Sequence, residues 1–328
     1  MIKAMETMSS WIVLTHKGMP VNRDLLSLRH SLLNGQAFTW FTNGSNYWGT
    51  CHGAFYEIKY DEKDQVCWRG VNGSAEKLED YFGFNVDYST VFAKLLEKDK
   101  VFKSRFESAK GLRVLRQDPW ECCISFICSQ NNNIKRIGQM VQNLCSNFGE
   151  EIHSDDSGKF YGFPSPAKLA TVTEKQLTDL GFGYRAKYII DSSKSILEKG
   201  GNDFLLKLRG SDQKSPPTAQ LTQFRGIGPK VADCVSLFSL DCYWLVPVDT
   251  HMFQLCEKVY KQKFTNYDKA REFLQDKLGV TYAGIAHTFM FTFEINEFAK
   301  DKLEPIKRPG NQVKGGDIVK PSVRVKRK

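Results

Sequence analysis

The first part of the chain carries short hydrophobic and aromatic runs that are separated by glycine and asparagine. Between Trp11 and about Trp68, such runs include residues 38–41, 47–50 and 54–60. Aromatic and β-branched residues favour strands, and the Asn-Gly pair at 43–44 between two runs is a hairpin signal. This pattern predicts an antiparallel sheet.

From about Val71 the hydrophobic positions recur at helical spacing. Asp118 and Pro119 supply an N-cap and a first helical residue, and they predict a helix that continues through Cys128. Hydrophobic residues every three or four positions over 134–148 predict a second helix, which Gly149 can end.

The later part of the chain continues the helical pattern. Thr173 and Gln176 have the spacing of a capping box, and the helix that they begin closes at 180–181. Two more helices are predicted over 184–197 and 281–298, and residues 211–217 form a polar loop. The fold class is therefore α+β, with an N-terminal antiparallel sheet domain packed on a mostly α-helical region.

Composition agrees with a folded protein of two or three packed units. The chain has 328 residues, of which 41% are hydrophobic, and a formal net charge of +9. A basic balance suits a polyanionic partner, although many basic proteins bind no nucleic acid. We expect a sheet domain over 1–112, a helical region over 113–304 and a disordered basic tail over 305–328. The tail suits a nuclear address or a nonspecific DNA contact, and a plain solubilising role stays open.

Nine cysteines are present, most of them within apolar stretches, so we expect free buried thiols. They lack the paired spacing of a zinc site, and we expect no metal and no cofactor. The chain has no apolar stretch long enough for a transmembrane helix, and its start lacks a signal-peptide layout, so we expect no membrane partner.

The most informative segment is a glycine hairpin. Gly226 and Gly228 bracket one apolar residue between two predicted helices. Glycines permit a tight turn with positive φ and close backbone approach, and amides at the start of a helix can hold a phosphate. Such a short motif is weak by itself, because an ordinary helix–turn–helix corner has the same pattern.

Lys230 follows the hairpin, in the first turn of the next helix. An ammonium group is disfavoured at that end of a helix, and a lysine that has lost its proton can act as a nucleophile. Nineteen positions later, Asp249 is placed as the N-cap of another helix. Spacing alone leaves open that Lys230 is a surface lysine and that Asp249 is only a cap.

The hairpin with Lys230, followed by Pro247, Val248 and Asp249, resembles the helix-hairpin-helix base-excision glycosylases with the Gly/Pro-Asp motif. Within them the sequence is most similar to the eukaryotic 8-oxoguanine DNA glycosylases. Residues 34–40, 129–137 and 181–188 resemble three further segments of that family in the same order. The resemblance runs from about residue 11 to residue 298.

The resemblance implies a bifunctional DNA glycosylase and AP lyase that removes 8-oxoguanine opposite cytosine from duplex DNA in base-excision repair. Lys230 would attack C1′ of a flipped nucleotide and form a Schiff base, and β-elimination would cut the strand. Asp249 would stabilise positive charge on the sugar. The implied partner is damaged double-stranded DNA, bound by a monomer in the nucleus, and a mitochondrial pool stays open.

The resemblance also assigns the remaining site residues. The Gly35 carbonyl would accept N7–H of the base, Cys234 and Phe291 would pack on its two faces, and Pro247 would form the pocket wall. The predicted DNA contacts are Asn131, Arg136, Tyr184, Arg185, Gly226, Gly228 and His251.

One position departs from the family. His287 stands where the family has a glutamine that reads the Watson–Crick edge, and an imidazole cannot supply an amide's paired donor and acceptor. A glycosylase with another oxidised-purine preference therefore stays open, as does a noncatalytic DNA-binding protein. Only Cys256 follows Asp249, so the iron–sulfur loop of the endonuclease III relatives is missing.

Overall fold

The computed structural model describes residue 8, residues 10–155 and residues 158–298. The strands are β1 (Ile12–Val13), β2 (Thr15–His16), β3 (Met19–Pro20), β4 (Trp40–Thr42), β5 (Asn46–Cys51), β6 (Ala54–Tyr60), β7 (Val66–Val71), β8 (Glu151–Asp155) and β9 (Gly158–Tyr161). The first helices are α1 (Leu28–Leu32), α2 (Ala75–Tyr81), α3 (Tyr88–Lys98), α4 (Lys100–Arg105), α5 (Pro119–Cys128), α6 (Ile134–Phe148), α7 (Pro166–Ala170) and α8 (Glu174–Asp179). The later helices are α9 (Arg185–Glu198), α10 (Asn202–Lys207), α11 (Thr218–Leu221), α12 (Pro229–Ser239), α13 (Thr250–Lys258), α14 (Tyr267–Leu278) and α15 (Ala283–Phe298).

The predicted antiparallel sheet is confirmed. Its strands lie in the order β1-β7-β6-β5-β4, and each neighbouring pair is antiparallel. The predicted hairpin joins β4 to β5, where Asn43 Oδ1 accepts hydrogen bonds from the backbone N–H groups of Ser45 and Asn46 at 3.1 and 2.9 Å. Gly44 has a φ of +99°, which explains the glycine at this turn.

Both faces of the sheet are covered. One face packs on α1 and α2 through large buried side chains such as Trp40 and Tyr56. The other face packs on the β8–β9 hairpin, where the ring centroid of Phe160 lies 4.4 Å from that of Phe55. This hairpin is absent from the sequence prediction, because its short strands are mostly polar and bury few apolar side chains.

The predicted starts of α5 and α8 are confirmed by their caps, whereas α9 has no side-chain cap and α15 begins at Ala283 rather than at 281. The Asp118 side chain accepts from the Glu121 N–H at 3.0 Å, and the capping box between Thr173 and Gln176 is present. Asn133 caps α6, and Gly149 follows its last residue. Side-chain caps therefore set the starts of α5, α6 and α8, whereas α12 begins after Gly228 without a side-chain cap.

The core of the helical part also includes α3, α4 and the short 3-10 helix Phe106–Ala109. Their rings form an aromatic cluster with α15, in which Phe92 and Phe289 have centroids 4.8 Å apart. These helices lie within residues 1–112 of the sequence, and they pack on the helical part rather than on the sheet. The predicted tail over 305–328 lies outside the described residues.

All nine cysteines are buried and unpaired with one another, as predicted. Across residues 10–155 and 158–298, no group of three or more His, Cys, Asp or Glu side chains is arranged to hold a metal ion. Among the same residues, no helix has the length and apolar character that crossing a membrane requires.

Candidate active site

A cavity of about 990 Å³ lies between the loop before β4, the start of α6, the hairpin and α12, the start of α13, and α15. Its volume suits a small organic ligand such as a nucleotide base with its sugar. The predicted site residues that line it are Gly35, Asn131, Gly228, Lys230, Cys234, Pro247, Asp249, His251, His287 and Phe291. Four other predicted residues do not line it: Arg136, Tyr184, Arg185 and Gly226.

The two glycines of the hairpin have different conformations. Gly226 has a φ of +83°, and a Cβ atom there would lie 2.7 Å from Tyr188 Cβ. Gly228 has a φ of −87° and open space around it, so the positive φ expected of the hairpin glycines occurs only at Gly226. Gly228 instead leaves bare backbone at the N-terminus of α12, where exposed N–H groups can hold an anion.

Lys230 is the second residue of α12, after Pro229 at the first position. Its side chain is half-buried, and Nζ lies 5.4 Å from the ring centroid of Phe126. Cys234 lies one helical turn further on, on the same face. Burial raises the pKa of the Cys234 thiol to about 12, and the nearby charge of Lys230 opposes that rise. Cys234 is therefore a neutral thiol that supplies an apolar contact beside the lysine.

Asp249 is the N-cap of α13, as predicted. Its Oδ1 accepts a hydrogen bond from the Met252 N–H at 2.9 Å. This bond fixes the direction of the carboxylate at the cavity wall. The segment before it, Pro247 and Val248, is buried and lines the same cavity.

His287 and Phe291 lie one turn apart on α15, and their rings are stacked at 6.0 Å with a 15° interplanar angle. Burial lowers the pKa of His287 to about 4; Asp249 opposes this shift and Lys230 reinforces it. The imidazole donates a hydrogen bond to the Pro247 carbonyl, and Nδ1 has no partner in the part of the chain that the structure describes. At neutral pH, His287 is therefore uncharged. His251 lies with its ring edge towards Phe291, at 5.9 Å.

Gly35 lies in a loop whose backbone only glycine adopts readily. Its φ is +89°, and a Cβ atom would lie 2.9 Å from Ile134 Cδ1. The Asn34 amide donates to Thr292 Oγ1 at 3.0 Å and accepts from the Gln36 N–H at 3.2 Å. Asn34 thus connects the Gly35 loop directly to α15, which also lines the cavity.

Gln36 anchors the same loop to the segment that follows the 3-10 helix. Its Nε2 donates to the carbonyls of Ser31 and Arg113 at 2.8 and 2.9 Å, and its Oε1 accepts from the Leu115 N–H at 2.9 Å. Sequence reasoning did not assign roles to Asn34 and Gln36. The available signal was two amide residues beside a glycine in an otherwise apolar stretch.

Three of the predicted DNA contacts meet at the rim of the cavity. The Tyr184 hydroxyl donates to the Gln130 carbonyl at 3.3 Å, and the side chain is 52% exposed. Arg185 as a whole residue is only 4% exposed, and its guanidinium donates to the carbonyls of Gln130 and Asn131. Arg136 is exposed on α6, where it donates to the Gly181 carbonyl at 3.5 Å. Tyr184 is therefore available at the surface, whereas Arg185 is held against the backbone of 130–131.

Comparison with known proteins identifies the family. A family model described as the N-terminal domain of 8-oxoguanine DNA glycosylase matches residues 19–123, and one described as HhH-GPD superfamily base excision DNA repair protein matches residues 124–279. The N-glycosylase/DNA lyase OGG1 of Arabidopsis thaliana is 33% identical over 304 aligned positions, and the match covers 88% of this chain and 82% of that protein. The chain belongs to the 8-oxoguanine DNA glycosylase family. The N-glycosylase/DNA lyase of Saccharomyces cerevisiae is also 33% identical and covers 84% of this chain and 85% of its own length.

Solved structures of the glycosylase family share this fold. MBOgg1 in complex with a low affinity DNA ligand has a TM-score of 0.77 at 29% identity and covers 88% of this chain and all of its own. The 8-oxoguanine glycosylase/lyase of Clostridium acetobutylicum, in complex with double-stranded DNA containing cytosine opposite 8-oxoguanine, has a TM-score of 0.75 at 28% identity. That match covers 86% of this chain and 94% of the other. The predicted family and fold class are both confirmed.

Proposed function

We propose that this protein removes 8-oxoguanine opposite cytosine from double-stranded DNA and then cuts the strand at the abasic site. The observation that carries the proposal is that Lys230, Asp249 and Gly35 line one cavity of a size that admits a flipped base. A lysine nucleophile, a carboxylate and a glycine carbonyl are the groups that this reaction needs. The relatives named N-glycosylase/DNA lyase support the same two activities.

The chemistry follows from the nucleophile. With the damaged nucleotide turned out of the stack, Lys230 Nζ attacks C1′ while the C1′–N9 bond breaks; the base leaves with the bonding electrons and takes up a proton, and the attacking nitrogen loses one. Opening of the sugar gives a Schiff base between Nζ and C1′. Loss of a C2′ proton then expels the 3′ phosphate, which cuts the strand. Asp249 stabilises the positive charge that develops on the sugar in the first step.

The groups around the cavity suit recognition of the base. Cys234 and Phe291 supply apolar contacts for its two faces, and the buried Pro247 forms a wall. The Gly35 carbonyl accepts N7–H, which 8-oxoguanine has and guanine lacks. Discrimination against guanine is then a hydrogen bond that the normal base cannot make.

The neutral His287 favours a second substrate beside 8-oxoguanine. With one ring nitrogen bonded to Pro247, Nδ1 is left as an acceptor and suits an N1–H donor. The formamidopyrimidine derived from guanine carries the same N1–H as 8-oxoguanine, whereas 8-oxoadenine has a lone pair at N1. We expect the first two to be substrates and the third to be rejected.

The rim residues suit the rest of the duplex. Asn131, Arg136 and Arg185 would contact the cytosine left without a partner, and Tyr184 would act as the wedge beside it. The N-terminus of α12 after Gly226 and Gly228 would hold a backbone phosphate, and His251 would contact another. We further propose that the protein acts as a monomer in the nucleus, with a mitochondrial pool left open; the basic segment 305–328 supports nuclear residence.

Single-turnover assays on duplexes that carry one 8-oxoguanine opposite cytosine test the proposal. Direct analysis of the products measures strand cutting by the enzyme, and alkali treatment of a parallel sample measures base removal. We expect cutting without alkali, and no reaction on a matched guanine duplex. Duplexes with formamidopyrimidine and 8-oxoadenine test the role of His287. Binding to the 8-oxoguanine duplex without base removal would contradict the proposed activity.

A further inference from the structure

Tyr267, at the start of α14, connects the two elements that carry the proposed catalytic groups. Its hydroxyl donates to Asp233 Oδ2 at 2.7 Å and accepts from the Val248 N–H at 3.3 Å. Asp233 lies on α12, three residues after Lys230, and Val248 directly precedes Asp249. The phenol is therefore a bridge between the helix of the nucleophile and the segment of the carboxylate.

The Tyr267 hydroxyl provides hydrogen-bond partners for two polar groups that have little access to solvent. Val248 is 3% exposed, and a buried backbone N–H needs a hydrogen-bond partner. Asp233 is fully buried, and Tyr267 and Arg271 are its hydrogen-bond partners from α14. Arg271 also donates to Asp268 at 2.9 Å, which holds its guanidinium in place on α14. Asp233 is therefore bonded to α14 through two side chains, Tyr267 and Arg271. This arrangement restricts the movement of Val248 relative to α12.

We propose that Tyr267 is a positioning residue, which holds the segment carrying Asp249 in a fixed place relative to Lys230. The inference rests on the proposed function, because it concerns the geometry between those two catalytic groups. Tyr267 lines the cavity, but the proposal assigns it no contact with the reacting atoms. A small displacement of a catalytic group reduces the rate of reaction more than it reduces binding.

The charge of Asp233 gives the bridge a dependence on pH. Burial raises the pKa of Asp233 to about 6, and the hydrogen bond from Tyr267 and the charge of Arg271 oppose the rise, whereas Asp268 adds to it. The neighbouring thiols Cys234 and Cys242 are neutral, because burial raises the pKa of each to about 12. Above pH 6, Asp233 is an anionic acceptor for the phenol; below it, the protonated carboxyl is a weaker one.

The test compares Tyr267→Phe with Tyr260→Phe. Tyr260 is a matched control, because its hydroxyl donates to Asp99 at 3.2 Å in a similar half-buried setting that does not line the cavity. Under single-turnover conditions with 8-oxoguanine opposite cytosine, we expect Y267F to lose roughly tenfold to a hundredfold in rate. Its Kd for a duplex with an uncleavable abasic analogue should stay unchanged, and Y260F should keep the wild-type rate. Equal rates for the two variants would overturn the proposal, as would a loss in Y267F that appears wholly in Kd.

The variant Asp233→Asn separates positioning from plain stability. Asparagine can accept from the phenol but cannot titrate over this range, so the ratio of the rates at pH 7.5 and pH 5.5 should be smaller than in the wild type. With a pKa of about 6, protonation of Asp233 contributes at most about fourfold to the wild-type loss over that interval, and this contribution is absent from the variant. The same ratio in both proteins would overturn the role of Asp233. If the wild type itself removes no base, the proposed function is wrong. If the wild type removes the base and Y267F does so at the same rate, the proposed function stands and only the role of Tyr267 is wrong.

Discussion

At the scale of single residues, Gly35 shows how backbone geometry can carry specificity. Its positive φ disfavours any other residue, a Cβ atom there would displace the end of the Ile134 side chain, and Asn34 and Gln36 hold the loop from both sides. The proposed contact to N7–H uses a carbonyl, so it depends on the loop and not on any side chain that a sequence motif displays.

We predict that Gly35→Ala reduces excision of 8-oxoguanine by roughly a hundredfold or more, because both φ and the contact with Ile134 become strained. Gly44→Ala is the matched control, since Gly44 also has a positive φ, of +99°, but has open space around it at an exposed turn. Single-turnover excision rates and thermal unfolding of both variants provide the measurement. Similar losses of activity in the two variants would show that Gly35 has no special part in the site.

His287 makes a second residue-scale prediction, about stability and pH. Its pKa in the folded protein is lowered from 6.5 to about 4, so below pH 6.5 the unfolded chain takes up a proton that the folded protein does not. The neutral His287 therefore contributes to the free energy of unfolding. This contribution is fully present above pH 6.5 and is lost as the pH falls towards 4; at pH 5 the loss is about 2 kcal/mol. Urea unfolding at pH 7.5 and pH 5.0 should therefore show a smaller difference for His287→Gln than for the wild type. Equal differences would contradict the buried, neutral imidazole.

The site residues that the sequence predicts are those whose roles depend on neighbouring positions in the chain. Lys230 and Asp249 stand at helix starts that short motifs reveal, and the structure places both on the cavity. Asn34 and Tyr267 escaped prediction because their partners are distant in the sequence: Thr292 in the first case and Asp233 in the second. Such pairings depend on the tertiary packing of α14 and α15, which no local pattern encodes.

At the scale of elements, Asp249 combines a structural and a chemical role. As the N-cap of α13 it accepts from the Met252 N–H, and as a carboxylate it faces the cavity. The two roles need different properties of the side chain, because a cap needs an acceptor oxygen and the reaction needs a negative charge.

We therefore predict that Asp249→Asn and Asp249→Ala differ in stability but not in their loss of activity. Asparagine is as good a cap as aspartate, whereas alanine costs about 1 kcal/mol. Both variants lose the charge, so both should lose roughly a hundredfold or more in the rate of base removal. Urea unfolding and single-turnover kinetics on the same preparations measure the two effects. Substantial activity in Asp249→Asn would show that the reaction does not need the negative charge of Asp249.

Among the elements, helices with side-chain caps were predicted well, whereas the short polar strands β8 and β9 were not. The helices that begin after Asp118 and Thr173 have the predicted starts, because side-chain oxygens satisfy the first N–H groups. The β8–β9 hairpin was missed, since it is a pair of short polar strands whose place depends on the contact between Phe160 and Phe55.

At the scale of the whole molecule, the charge is unevenly distributed along the chain. Residues 305–328 contain eight Lys and Arg residues and one Asp, so they hold seven of the nine net positive charges. Residues 1–304 are therefore close to neutral in net charge. Their binding to DNA has to depend on individual groups at the rim of the cavity and at the glycine hairpin. The basic segment would add a sequence-independent attraction to phosphates.

We predict that a chain ending at residue 304 keeps its single-turnover excision rate but loses affinity for undamaged duplex DNA. The loss should be roughly tenfold or more at low salt and should shrink as salt increases, because the attraction is screened. Fluorescence anisotropy over a salt series measures it. Unchanged affinity at low salt would favour a tail that only solubilises the protein or directs it to the nucleus.

The central claim is that Lys230 forms a covalent bond with the sugar of the excised nucleotide. Borohydride reduces a Schiff base to a stable amine, so it traps the enzyme on a duplex with 8-oxoguanine opposite cytosine. We predict a trapped complex for the wild type and for Lys175→Gln, an exposed lysine paired with Asp179 at 2.7 Å, and none for Lys230→Gln. Peptide mass spectrometry should find the adduct on Lys230. An undiminished adduct in Lys230→Gln, or an adduct on another residue of the wild type, would contradict the claim.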